Sequence, residues 1–492
     1  MNKISTIAAL LSMLGLSLLA APSYAQPAPA EDVRTAVDAA SSEVPVATSP
    51  LGSSLAVLLA EALNDSPEMR VAILRSGAAG ERIQQAAARF YPSIDFQVTA
   101  QSTELYDTFS GITASGTVLG ETLVVDVERE SPQYIVKPAL ELSYDLYTGG
   151  RDSALLRNSK SAFRADAVGV ELQAHKIMRE VTLGYLRLGQ AWHRWKTAQR
   201  WVEVARNQEK ATEKHFAAGR ASELEVNTVA LTRAQRELDV QSKSESFVVA
   251  YTDFLRALGR PIVGLALHPK NEASFFENFE AELNKLQTVE ITKDGSKFTS
   301  AEGNHEFERA HTIALAANEL VTVEKASHLP QVRLSAQYVG AGRDDGSIGS
   351  AIEDISKESY VVGLTVSWNL FSGHETRARV AEARLNATRL FEEAAEIQNR
   401  LASARKNLAS VYARAKARLE YAQQHREVEA LRLKVEQAKL NVGRGFTEDV
   451  EQAQMALVAA DADILDKRID VVISQVKLRF ALTQDMSPEG SF

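Results

Sequence analysis

Segments of the first half of this chain recur in the same order in its second half, and that duplication constrains the fold more than any local propensity does. Leu-Tyr-Thr-Gly-Gly-Arg at 146 to 151 is answered by Leu-Phe-Ser-Gly-His at 370 to 374, and Ala-Gly-Arg at 218 to 220 by Val-Gly-Arg at 442 to 444. Gly149 and Gly373, Gly219 and Gly443, Val226 and Val450, and Leu258 and Leu482 are each 224 positions apart, so a long helical stretch was copied without net insertion. Upstream the offset is 238, as between Pro92 and Pro330 or Glu68 and Glu306, which puts 14 extra residues of the first half between Pro92 and Gly149.

Lys3, a mostly apolar run from Ile7 to Ala21 and the small-x-small triplet Ser23-Tyr24-Ala25 read as a secretory signal cut after Ala25. Residues 26–50 are rich in Ala, Pro, Ser and Glu, have no apolar period, and read as a disordered leader. The sequence contains no cysteine, so neither a disulfide nor an acylated thiol holds it in place. Beyond the signal, no window approaches the roughly 18 consecutive apolar residues of a membrane-spanning helix. Entry into a membrane would therefore require a barrel. A net charge of -9, from 55 basic and 64 acidic residues, argues against a nucleic-acid partner.

Four segments alternate. Ile94, Phe96, Val98 and Ala100 are interleaved with Asp95, Gln97, Thr99 and Gln101, and Val332, Leu334, Ala336 and Tyr338 with Arg333, Ser335 and Gln337. The returning segments carry Leu140, Leu142 and Tyr144 in one half and Val362, Leu364, Val366, Trp368 and Leu370 in the other. Period two over about ten residues predicts strands long enough to cross a bilayer at a tilt. A soluble hairpin with one buried face would alternate in the same way. Four strands fall short of the roughly eight that a small closed barrel needs, so a barrel would draw on several copies of the chain. Leu364 would then face lipid and Thr365 the lumen. The connectors at 107–131 and 342–357 read as loops. The clusters Tyr144/Tyr147 and Trp368/Phe371 read as an interfacial belt or as packing at a strand end.

From Asp152 to His215 and from Glu375 to Leu440 there is no proline, which predicts helices of about 100 Å at a 1.5 Å rise per residue. Val450, Leu457, Ile464, Val471 and Leu478 are spaced by seven, as are Val428, Val435 and Val442, with Leu431 and Ala438 between them. Both rows have the spacing of a coiled-coil seam. Gly219 and Gly443 read as helix stops, followed by Ser222 and Thr447 as N-caps and by the first-turn acids Glu223, Glu225, Glu448 and Asp449. The expected organisation is a signal at 1–25, a leader at 26–50 and a first repeat at 51–261 with its hairpin at about 93–147. An irregular charged subdomain at 262–304, containing Phe275, Phe276 and Phe279, follows. A second repeat at 305–486, with its hairpin at about 331–371, and a tail at 487–492 complete the chain.

Catalytic signatures do not emerge. There is no phosphate loop, zinc-binding His-Glu-x-x-His or nucleophile elbow. His305 and His311 read as surface residues and Trp192 and Trp195 as lateral helix packing. The sequence argues for neither an enzyme nor a cofactor.

The signal, the Ala-Leu-Asn-Asp-Ser-Pro-Glu-Met opening of the first helix, the proline before each hairpin, the Leu-Tyr-Thr-Gly-Gly and Leu-Phe-Ser-Gly that follow, and a glycine with an acidic turn at each helical tip carry a resemblance. Over residues 51 to 486 the chain resembles the TolC-type outer-membrane factors. The resemblance implies a mainly α fold with a small β part, a homotrimer pooling its hairpins into one outer-membrane β-barrel, and a periplasmic α-helical barrel continuing it. It implies as partners a periplasmic adaptor, an inner-membrane ABC or proton-driven transporter and outer-membrane lipid, with no nucleic acid and no cofactor. The function implied is an exit duct for protein in type I secretion, with small-molecule efflux as an alternative. A periplasmic coiled-coil scaffold or adhesin stalk is the reading of another class.

By the same resemblance the periplasmic gate involves Glu225, Asp449 and Arg444, and the tips Gly219, Arg220, Gly443 and Arg444 contact the adaptor. Gln452 stands where the family has a second gate aspartate, and Leu440 and Gly445 where it has a link tyrosine and arginine, so Arg444 is the candidate substitute. Asp449 is either a gate residue or a helix-start carboxylate worth about 0.3–1 kcal/mol.

Overall fold

The computed structural model describes residues 54–102, 114–118, 121–125, 134–260, 272–288, 304–344, 347–355, 357–442 and 444–482. The signal, the leader, the C-terminal tail and Gly443 lie outside the described residues. In the first repeat, helices α1 (Leu55–Asp65) and α2 (Pro67–Ala88) precede strands β1 (Ser93–Ser102), β2 (Ala114–Val118), β3 (Glu121–Val125) and β4 (Tyr134–Tyr147). Helices α3 (Arg151–Ala217), α4 (Glu223–Ala257) and α5 (Glu272–Thr288) follow. The second repeat comprises α6 (His305–Ala326), β5 (Gln331–Asp344), α7 (Ile348–Glu353), β6 (Lys357–Ser367), α8 (Glu375–Asn441) and α9 (Thr447–Ala481).

The duplication is visible in the element lengths. Both α3 and α8 have 67 residues, and both α4 and α9 have 35. Pro67 splits the opening helix, because a residue before proline avoids the helical region. Ser66 is extended (φ -64, ψ 123), while Pro67 starts α2 at the position where its missing N–H costs nothing.

The sheet runs β1-β4-β5-β6, antiparallel throughout, so β4 against β5 joins the two hairpins. Its register lines up Ile94, Leu142, Ala336 and Val362 in one row and Phe96, Leu140, Tyr338 and Tyr360 in the next. On the opposite face Asp145 and Arg333 are directly paired, with Oδ1 to Nε at 2.6 Å. The predicted alternation is thus the alternation of the sheet. Both connectors read as loops carry structure, the hairpin β2–β3 and the short helix α7. Strand β6 ends at Ser367, earlier than its apolar pattern suggests. The Trp368 indole donates instead to the carbonyl of His328 at 3.0 Å.

The subdomain expected to be irregular contains α5. Positions 275, 276, 279, 283 and 286 are apolar at helical spacing, a signal obscured by the charges around them. Phe279 and Leu283 are buried by that spacing.

The chain forms two compact units. The first comprises the described parts of Met1–Gly80, Arg164–Arg309 and Ala394–Phe492. Its core brings together Leu58 of α1, Tyr185 and Leu186 of α3, Phe247 and Phe254 of α4, Leu283 of α5, and Ile469 and Val472 of α9. Glycine inside a helix costs about 0.5–1 kcal/mol, and here packing requires it. A Cβ on Gly189 would lie 2.1 Å from the Phe279 ring, so only glycine lets α5 seat on α3. The second unit, Glu81–Phe163 and Ala310–Glu393, holds the four-stranded sheet and a small cluster of Val321, Val380 and Ala387.

The two heptad rows have different fates. Val471 and Leu478 of α9 are buried and Val450, Leu457 and Ile464 half-buried, whereas Val428, Leu431 and Val435 of α8, and Val442 just past its end, are exposed.

Candidate functional site: the helical tips and the adjoining groove

At the first tip α3 closes with two reversed hydrogen bonds. The N–H of Gly219 donates to Phe216 O at 2.9 Å and that of Arg220 to His215 O at 2.8 Å. This motif needs a left-handed residue, and Gly219 has φ +70. Helix α4 then starts on a capping box. The Ser222 hydroxyl accepts from the N–H of Glu225 at 3.2 Å, and the Glu225 carboxylate accepts from the N–H of Ser222 at 2.8 Å.

The second tip repeats the stop but not the start. Arg444 N–H donates to Lys439 O at 2.9 Å, the counterpart of the Arg220 bond. The expected N-cap Thr447 is instead the first helical residue of α9, and Phe446 occupies the cap position with no side-chain bond. A phenyl ring cannot accept the orphan N–H groups, so the duplicated acid has lost its partner. Asp449, the copy of Glu225, is exposed and makes no side-chain hydrogen bond or ion pair among the described residues. Of the two predicted gate acids, Glu225 is tied to its own helix start and Asp449 is free for another role. Arg444 is likewise exposed. Gly445 cannot be exchanged for a link arginine, because a Cβ there would lie 2.8 Å from Leu440 N and 3.0 Å from the Lys439 carbonyl carbon.

A groove of about 1810 Å³ runs between α3 and α9 and reaches the tips. Arg220, Glu225 and Phe446 line its tip end, and Trp192, Trp201 and Met455 supply apolar walls. Gln452 is also in its lining; Asp449 and Arg444 are not. Beyond the groove α3 and α9 are fastened by a bidentate pair, Arg194 to Asp466 at 2.7 and 2.8 Å, and by Gln190 to Asp470 at 2.8 Å.

His193 stands between them, its Nε2 3.2 Å from the carbonyl of Ala462. Burial pushes the His193 pKa below its ordinary 6.5, although the Ala462 carbonyl and the Asp466 charge favour the imidazolium and the Arg200 charge adds to the depression. A depressed histidine stabilises the fold while neutral, and the unfolded chain takes up the proton first. Stability of the first unit should therefore be fully present above about pH 6.5 and fall as the pH drops towards the folded pKa. Thermal melts of wild type and His193→Gln at pH 7.5 and 5.5 check this. The wild type should lose more on acidification than the variant, and parallel losses would show that His193 does not drive the acid limb.

Two features escaped the sequence. His305 is not a solvated surface residue, since its Nδ1 lies 3.1 Å from Glu171 and its ring 4.8 Å from that of His175. The groove was also unforeseen, because its walls come from residues more than 200 positions apart. Trp195, read as a packing residue, stacks on Phe247 at 5.4 Å.

In the second unit, Ile94, Phe96, Val98, Tyr360, Val362, Leu364 and Val366 all lie on one sheet face and are more than half exposed. At one end of the strands stand the exposed aromatics Tyr91, Tyr147, Trp368 and Phe371. An exposed apolar band next to an aromatic girdle, with polar residues on the other face, is the pattern of a transmembrane β-barrel wall. Joined in one chain to duplicated helices of about 100 Å, it defines the class of outer-membrane channels with a helical periplasmic extension.

Comparison narrows the class to a family. A family model described as outer membrane efflux protein matches residues 58–246 and 300–484, and the chain belongs to that family. The protein is accordingly an outer-membrane efflux channel with a large periplasmic helical portion. Among solved structures, the outer membrane protein VceC from Vibrio cholerae is similar with a TM-score of 0.66 and 16% identity, over 88% of this chain and 97% of that one. The Campylobacter jejuni CmeC outer membrane channel gives 0.67 and 14%, over 87% and 85%. The open state of the Neisseria gonorrhoeae MtrE outer membrane channel gives 0.65 and 13%, over 87% and 89%. At these identities the likeness is one of fold. No match was found among curated proteins.

Proposed function

We propose that three copies of this chain form the outer-membrane exit duct of an export machine, receiving protein from an inner-membrane transporter through a periplasmic adaptor. The observation that carries the reading is the open sheet. Among the described residues strands β1 and β6 are its edges, each with no strand paired on its outer side and with an exposed apolar face. Hydrocarbon does not tolerate open edges, so the sheet must be closed by strands of other copies. Three sets of four strands exceed the roughly eight that fill a barrel with side chains and leave a lumen. The same apolar face disfavours a periplasmic scaffold. The cysteine-free sequence supports protein cargo over small molecules, because a lipid-anchored efflux duct needs a cysteine to acylate. Deleting the gene should remove a secreted polypeptide from the medium with drug susceptibility unchanged; the reverse outcome assigns small-molecule efflux.

The tips form the periplasmic gate, with Asp449 as its charged element and Arg444 beside it. Three unpaired carboxylates meeting at a constriction repel one another and attract cations. Asp449→Ala should weaken cation selectivity and block by multivalent cations in planar-bilayer recordings, while Arg444→Glu should raise conductance. Unchanged selectivity and block in Asp449→Ala would reduce Asp449 to a helix-start carboxylate. Closure would then rest on apolar packing around Leu440 and Phe446.

A further inference from the structure

Helix α7, between β5 and β6, is fixed both at its start and along its underside. The Ser347 hydroxyl caps it by accepting from the Ser350 N–H at 3.1 Å, and the Ser347 N–H donates to the Asp344 carboxylate at 3.3 Å. The helix lies on β4 and β5. Two glycines of β5 make its seat: a Cβ on Gly342 would lie 1.8 Å from the Ala351 carbonyl oxygen, and one on Gly340 would lie 3.0 Å from Ile355 Cγ2. Val136, directly opposite Gly342, is closed off to 2% exposure.

Parity identifies the face that α7 covers. Side chains two apart along a strand share a face, so Gly340 and Gly342 continue the row of Val332, Leu334, Ala336 and Tyr338, and Pro138 and Val136 continue that of Leu142 and Leu140. This is the apolar face that carries Leu364. The helix therefore sits outside the channel wall and not over its lumen. It is also at the outer end of the strands, because the long periplasmic helices α3 and α8 leave from the opposite ends of β4 and β6. Ten residues separate Val332 from Gly342. At about 3.4 Å per residue and a tilt of roughly 40° they climb about 26 Å, which matches the lipid-facing band of about 25 Å in such barrels. Gly342 and the helix on it mark the outer edge of the hydrocarbon.

Ile348, Ala351, Ile352 and Ile355 recur at helical spacing. Ala351 is buried and Ile355 rests on the two glycines, yet Ile348 and Ile352 remain 43% and 53% exposed. Glu353 and Asp354 are exposed beside them. We propose that α7 is a collar anchored in the outer leaflet, with Ile348 and Ile352 among the acyl chains and the two carboxylates in the headgroup water, the arrangement of an interfacial helix. The inference rests on the multi-copy barrel proposed above. Lipid is the occupant because the two isoleucines extend a face already turned to hydrocarbon. A neighbouring copy is too far away, since β4 and β5 are the inner strands of the sheet and other copies join at β1 and β6.

Because the chain has no cysteine, a single introduced thiol can be spin-labelled alone. In full-length protein reconstituted into phosphatidylcholine vesicles, collisions with oxygen report lipid and collisions with a water-soluble nickel chelate report water. The oxygen-to-chelate ratio should be several-fold higher for labels on Ile352→Cys and Leu364→Cys than for one on Glu353→Cys. Ile348→Cys should match Ile352→Cys and covers a failure of that variant to assemble. A chelate-accessible label on Ile352→Cys beside a lipid-facing one on Leu364→Cys overturns the collar and leaves the barrel standing. A label on Ile352→Cys shielded from both reagents does the same, by showing a protein over α7, as does an equal ratio at Glu353→Cys. Chelate access at Leu364→Cys overturns the collar and the barrel together.

Discussion

Glu61→Gln should destabilise the first unit by about 3–5 kcal/mol, the cost of leaving a buried charge without its partner. The Arg260 guanidinium donates to the Glu61 carboxylate at 2.6 and 2.8 Å, and the two side chains are only 10% and 5% exposed. Water cannot take the place of the carboxylate there, and glutamine keeps the shape but not the charge. The pair ties α1 to the end of α4, where Arg260 N–H closes the helix on Leu255 O at 3.0 Å. Urea unfolding followed by tryptophan fluorescence reads the loss, since Trp192 and Trp195 pack against the same core. The double variant Glu61→Leu/Arg260→Met should recover most of it, because an apolar pair of similar volume has no charge to desolvate. A double variant as unstable as the single would show that shape, not charge, governs the site.

Leu364→Arg should cost about 2–4 kcal/mol if its position lies near the bilayer midplane. Leu364 sits in β6 opposite Leu334, on the face whose aliphatic and aromatic side chains are exposed in the single chain. Assembly in the outer membrane and urea-dependent folding into lipid vesicles both measure the effect. Thr365, read from the sequence as the lumen-facing neighbour, does face the other way, but it lies directly opposite Arg333, so a second arginine there would meet a like charge. Gln337 is the better control. It shares the polar face and is paired with Glu141, so Gln337→Arg should fold and assemble normally. Equal losses for Leu364→Arg and Gln337→Arg would refute the assignment of the two faces.

What the sequence determined by itself was whatever depends on near neighbours along the chain. The duplication set the equal lengths of α3 and α8, alternation set the two faces of the sheet, and Ser222 with Glu225 three residues on announced the start of α4. Half of the tip site was legible on the same grounds: Gly219 stops its helix as glycine should, and Arg220 follows it. The tertiary structure decided what covers each face. Periodicity records that a stripe is apolar but not what lies against it, which is why one heptad row is buried only at its Val471 and Leu478 end in α9 and another is exposed along α8. The same limit hid α5, whose apolar positions gained meaning only once Phe279 had a glycine on α3 to rest against. It also hid the difference between Glu225 and Asp449, equal in sequence until Phe446 was found at the cap. The contacts that settle these matters join residues far apart, 199 positions for Arg260 and Glu61 and 272 for Arg194 and Asp466. Local pattern cannot select such partners, because a carboxylate on one helix has the same local signature whichever arginine the fold brings to it.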